Sequence, residues 1–105
     1  MSTRNYHTSR LEASYYEQVI RTLITCNAQG LKYAAVADAL NSQNITTPTG
    51  LRWSAEVVRQ VTKKLRNYKR YPSRLHSHLT NLVFEGKLAV KDALPLFKPR
   101  WHDVQ

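Results

Sequence analysis

The sequence predicts an all-α protein, a small helical bundle built as one domain. Three observations carry that expectation. Apolar residues return at three- and four-residue steps through four successive segments. Glycine or proline stands between most of those segments. No stretch alternates polar and apolar residues long enough to make a sheet. A chain of 105 residues, 42% of them hydrophobic, fits one domain with a small core.

Residues 1–9, MSTRNYHTS, are polar and aperiodic and read as a flexible arm. The first helix is expected from about Arg10 to Ala28, with Leu11, Tyr15, Tyr16, Val19, Ile20, Leu23 and Ile24 on its apolar face. Ser9 and Glu12 have the spacing of a capping box, and Gly30 stops the helix. Cys26 falls beside the apolar stripe and reads as a small buried hydrophobe. A second helix, about Lys32 to Gln43, is rich in alanine (Ala34, Ala35, Ala37, Ala39), with Val36 and Leu40 as its larger packing groups.

The polar connection NSQNITTPTGLRW follows, where Pro48 and Gly50 forbid helix and Ile45 and Trp53 are the expected anchors. A third helix starts at the N-cap Ser54 and runs to about Tyr68–Arg70. Projected at roughly 100° per residue, Val57, Val58, Val61, Leu65 and Tyr68 share one face. Arg59, Lys63, Arg66 and Arg70 occupy the other, with Glu56, Gln60 and Asn67 beside them and Lys64 and Lys69 at the edges. Pro72 separates a fourth helix, about Ser73 to Glu85, with Leu75, Leu79, Leu82 and Val83 on one face and Gly86 at its end. The tail adds a short helix near Val90–Leu94 and the apolar residues Leu94, Leu96, Phe97 and Trp101. The chain thus divides into the arm 1–9, a core 10–70 and a C-terminal helical extension 71–105. The extension is a candidate dimerisation element if it does not fold back onto the core.

Charge gives the strongest bulk signal. Sixteen Lys and Arg face seven Asp and Glu, a formal +9 with a pI near 10.1. From Arg52 to Arg74 eight basic residues are opposed by Glu56 alone, a net +7. A field so concentrated suits a polyanion. A basic helical face is ordinarily just solvated, but like charges three, four or seven residues apart repel, so this face is expected to meet a partner.

A slim helix, a polar connection and a basic helix form a helix-turn-helix-like arrangement, which presents its second helix to the major groove of double-stranded DNA. Arg59 and Arg66 suit guanine, and Gln60 and Asn67 suit adenine. Lys63, Lys64 and Arg70 suit phosphates, and Arg52 is a further candidate DNA contact. Thr47, Thr49 and the Ser54 end of the third helix offer hydroxyl and N–H groups to a phosphate. The connection is longer than the three- or four-residue turn of the simplest such motif.

Other chemistry finds little support. His76 and His78 point about 200° apart on a helix and cannot share a metal. Cys26 has no partner for a disulfide or thiolate cluster. The seven carboxylates form no pair suited to a two-metal nuclease, the six tyrosines have no Arg/His setting for strand transfer, and no glycine-rich phosphate loop occurs. A binding protein, not an enzyme, is expected, without metal or cofactor. No apolar run approaches the roughly 18–20 residues that cross a bilayer, and no signal-peptide pattern follows Met1, so a soluble cytoplasmic protein is expected. RNA binding lacks an aromatic-studded sheet or a Gly-x-x-Gly loop.

The segment from about Tyr16 to Tyr68 resembles the DNA-binding recombinase domain that follows the catalytic domain in large serine recombinases. The matching residues are Gly30, Ala37, Leu40-Asn41, Ile45, Thr47-Pro48, Gly50, Trp53-Ser54, Val58 and Val61. Asn44 stands where that family usually has glycine, and asparagine tolerates the left-handed conformation. The resemblance accounts for the long connection and implies DNA binding. It does not carry catalysis, because the serine nucleophile of those enzymes lies in a separate domain that this sequence does not contain. The expected function is sequence-specific binding of double-stranded DNA by a transcriptional regulator of a phage, plasmid or other mobile element, at the nucleoid of a bacterial cell. The alternatives are an accessory factor in site-specific recombination and a protein-interaction or inhibitor protein acting through its apolar C-terminal tail. A dimer through 73–101 would address half-sites about 10 base pairs, or a multiple of that, apart.

Overall fold

The computed structural model of the protein describes residues 2–67, 69–70 and 73–97, with side chains from Glu12 to Leu96 within those ranges. All regular structure among them is helical: α1 (Ser2–Ala28), α2 (Tyr33–Ser42), α3 (Ala55–Arg66), α4 (Arg74–Phe84) and α5 (Val90–Phe97). The all-α expectation holds. The expected packing of Tyr68, the break at Pro72 and the apolar tail residue Trp101 lie outside the described residues.

Local chemistry explains where the helices stop. At the end of α1, Leu31 N–H donates to the Cys26 carbonyl at 3.1 Å and Gly30 N–H to that of Asn27 at 3.0 Å. This is the paired closure that requires a left-handed residue after the helix, and Gly30 has φ +70°. The end of α2 repeats the pattern with Ile45 on Leu40 at 3.1 Å and Asn44 on Asn41 at 3.0 Å. Asn44 supplies the left-handed residue there, at φ +60°. Ser54 and Ser73 cap α3 and α4, their hydroxyls accepting from Val57 N–H at 3.3 Å and His76 N–H at 3.2 Å.

Two boundaries differ from expectation. The helix α1 continues back to Ser2, through the segment expected to be an arm, so Ser9 is interior to the helix and not its N-cap. Residues 2–9 contain neither glycine nor proline, and nothing local interrupts a helix already started downstream. At the other end α5 runs past the expected Leu94 to Phe97 and includes Pro95.

One core joins all five helices. Val19, Ile20 and Leu23 of α1, Leu40 of α2, Val58 and Leu65 of α3 and Leu79 of α4 are almost wholly enclosed. The helix α2 packs on α3, α1 packs on α2, α4 and α5, and α5 also meets α3 and α4. The tail as far as Leu96 therefore folds back, burying Leu88, Ala93 and Leu96. Between α1 and α4, Glu12 accepts from the Arg74 guanidinium and pairs with His78 Nε2 at 3.2 Å, while the His78 ring stacks on Tyr16 with centroids 4.7 Å apart. These partners are more than sixty residues apart in sequence, and no local pattern announced them.

Candidate nucleic-acid interface

The surface formed by the connection and α3 is held from beneath by a dense set of internal bonds. Asn41 grips the backbone of Trp53 from both sides, its Oδ1 accepting from Trp53 N–H at 2.8 Å and its Nδ2 donating to the Trp53 carbonyl at 2.9 Å. The Trp53 side chain is buried, as is that of Ile45. Tyr15 donates its hydroxyl to the Thr46 carbonyl at 2.6 Å. Burial, helped by the neighbouring Tyr16, pushes the Tyr15 hydroxyl up to about 12, so it stays a donor at any physiological pH.

The turn at 47–51 closes tightly. Thr47 N–H donates to the Leu51 carbonyl, and Gly50 N–H to the Thr47 carbonyl, each at 2.8 Å. Leu51 N–H returns to Thr47 Oγ1 at 3.0 Å. Gly50 takes φ +87°, a conformation that few side chains tolerate. Thr47 is only 6% exposed and its hydroxyl also meets that of Thr49 at 3.1 Å. It shapes the turn from within, whereas Thr49 and Arg52 stand exposed. Ser54 is exposed, but its hydroxyl is engaged as the cap of α3.

Along α3 the two faces separate as expected. Val58, Thr62 and Leu65 are buried, with Val57 and Val61 partly so. Thr62 is the polar residue on the inner side, and its hydroxyl is satisfied by the Val58 and Arg59 carbonyls, both at 3.0 Å. Arg59, Gln60, Lys63 and Lys64 are exposed on the outer side. Arg66 is half-buried. Asn67 closes the helix, donating its Nδ2 to the Lys63 carbonyl at 2.9 Å, and Arg70 follows in an exposed turn.

Charge on this helix is ordered as well as concentrated. Glu56 lies in the first turn, while Lys63, Lys64 and Arg66 lie in the last. That order complements the helix dipole, which offsets part of the cost of crowding the cations. Among the described residues Lys63 and Lys64 enter no ion pair. Arg59 does, with Glu56, which periodicity places only beside the basic face. Glu56 accepts from Arg59 Nε at 3.1 Å, from Arg59 Nη2 at 2.6 Å and from Gln60 Nε2 at 2.8 Å. These hydrogen bonds, Arg59's first and Gln60's second, hold the Glu56 carboxyl below the usual carboxylate range. The signal was present as acid-to-donor spacings of three and four residues.

Elsewhere the described residues contain no cluster of three metal-ligating side chains. No described helix is long and apolar enough to cross a membrane. Cys26 is buried, and burial pushes its thiol up.

Comparison with curated proteins and with solved structures gives no match. The recombinase family model does match, and over more of the chain than the connection and its flanking helices. The matched span is 15–94, reaching through α4 into α5 where those helices complete the common core, and the chain belongs to the recombinase family.

Proposed function

We propose that the protein binds double-stranded DNA sequence-specifically through α3 and the connection before it, and acts as a transcriptional regulator of a phage, plasmid or other mobile element. Family membership fits a DNA-associated role. The observation that carries the finer reading is the division of α3: Val58 and Leu65 are locked in the core while Arg59, Gln60, Lys63 and Lys64 stand outside on a capped, rigid helix. In this reading Arg59 and Gln60 meet base edges, Arg52, Lys63, Lys64 and Arg70 meet phosphates, and Thr49 approaches the backbone from the turn. Arg66 and Asn67 border the contact. Thr47 and Ser54 shape it, their hydroxyls being already engaged. The role is binding without catalysis, in the cytoplasm at the nucleoid.

Selection from a random duplex library, with single-stranded RNA as competitor, tests this directly. A recurrent duplex motif is the expected result, together with a salt dependence of log K near −4 to −5 for about five phosphate contacts. Preference for the RNA, or a salt-insensitive complex, would refute it.

A second reading has one observation in its favour. Phe84 is 85% exposed, and Val90 and Leu94 beside it are exposed too. That apolar face suits a homodimer or a protein partner, either in regulation or as an accessory factor in site-specific recombination. An inverted repeat in the selected motif, lost with Phe84→Ser, would support the dimer.

A further inference from the structure

Glu56 is the acidic side chain of the exposed α3 face, and three hydrogen bonds converge on it from Arg59 and Gln60. Its side chain is 61% exposed and that of Arg59 46% exposed. Exposed pairs of this kind add little to stability, so holding the fold together is a weak account of the cluster. What the cluster leaves available is more informative.

A guanidinium carries five N–H donors in a fixed plane. Glu56 takes the side-on edge, Nε–H and one Nη2–H. The end-on fork, with one N–H from each of Nη1 and Nη2, remains free of the carboxylate. That fork can span guanine O6 and N7. Gln60 gives one Nε2–H to Glu56 and keeps its second N–H and its Oε1, a donor and an acceptor of the kind adenine N7 and N6 require. The carboxylate thus holds both side chains while each keeps groups that can meet a base edge.

We infer that Glu56 is a specificity-determining positioning residue: it holds Arg59 and Gln60 as one prearranged set for base edges and opposes their use as phosphate contacts. This rests on the DNA-binding reading above. Two physical effects support it. Side chains already held in one geometry lose less freedom when they bind. A carboxylate in direct contact with Arg59 also offsets that cation, so the sequence-independent attraction falls mainly to Arg52, Lys63, Lys64 and Arg70.

The test uses the full chain, the duplex selected by the wild type and a scrambled duplex, at one salt concentration. Glu56→Ala, Glu56→Gln, Arg59→Ala and the double variant Glu56→Ala/Arg59→Ala are compared with the wild type. Either Glu56 variant is expected to bind the scrambled duplex several-fold more tightly. Preference for the selected duplex should fall by about tenfold, within the range that one bidentate base contact carries. The double variant should show no less preference than Arg59→Ala alone. The Arg59 Nε–H resonance should be shifted and protected in the wild type and lose both features in Glu56→Ala.

A merely structural role at the first turn of α3 gives a different result: equal weakening on both duplexes with a lower melting temperature. That outcome, an unchanged preference, or additive losses in the double variant would each overturn the assignment. A wild type that discriminates while the Glu56 variants discriminate equally well overturns this inference alone. A wild type indifferent to duplex sequence overturns it together with the proposed function.

Discussion

Residues 43–54 and helix α3 adjoin in sequence and treat their polar groups in opposite ways. In the connection, the Thr47 hydroxyl, the Trp53 backbone and the Thr46 carbonyl are all matched to partners inside the protein. On α3, Lys63 and Lys64 reach outward with no ion pair among the described residues, and Arg59 is steadied without being covered. Both are rich in hydrogen-bonding side chains, but only the helix is densely charged. What distinguishes them is where the named groups point, inward in the connection and outward at Lys63 and Lys64. The connection fixes the position of the helix, and the helix is left free to contact something else.

Substitutions can break that division, and the largest effect is expected inside the connection. Trp53→Ala removes a buried indole and should destabilise the fold by about 3–5 kcal/mol in denaturant unfolding; a variant as stable as the wild type would refute its anchoring role. Asn41→Ala leaves the Trp53 N–H and carbonyl without their side-chain partners. A loss of about 1–3 kcal/mol is expected, again read by unfolding.

Effects on α3 should appear in binding and not in melting. Arg59→Ala is expected to cost about 1–3 kcal/mol on a preferred duplex and to relax the choice of one base, with the melting temperature nearly unchanged. Lys63→Ala should give the smallest change, a nearly uniform weakening across sequences and a salt slope shallower by about 1. If Lys63→Ala destabilised the fold as much as Trp53→Ala, the contrast between the two regions would fail.

Much of this was legible in the sequence, for reasons that can be located. Ser54, Gly30, Asn44 and the Val58–Leu65 face act within a few residues of themselves, and each behaves as its chemistry predicts. Thr47 was read as a surface contact because threonine in a polar turn usually is one; its burial depends on the turn folding its hydroxyl onto Leu51. The start of α1 is not legible because residues 2–9 are polar and aperiodic, although none of them breaks a helix. The Glu12, Arg74 and His78 cluster joins segments that only the packing of α1 on α4 brings together. In the site itself the outward cations were legible from periodicity. The grip of Glu56 on Arg59 and Gln60 followed from spacing that had been noted only as a flank.

The enclosure of Cys26 has a practical consequence. It is the sole cysteine of the chain, nearly sealed from solvent and held in its less nucleophilic protonated form. Maleimide reagents should therefore leave the folded protein almost unmodified. A thiol introduced at the exposed Thr49 would then carry a dye or spin probe at one known place, turning the protein into its own reporter of what approaches that edge.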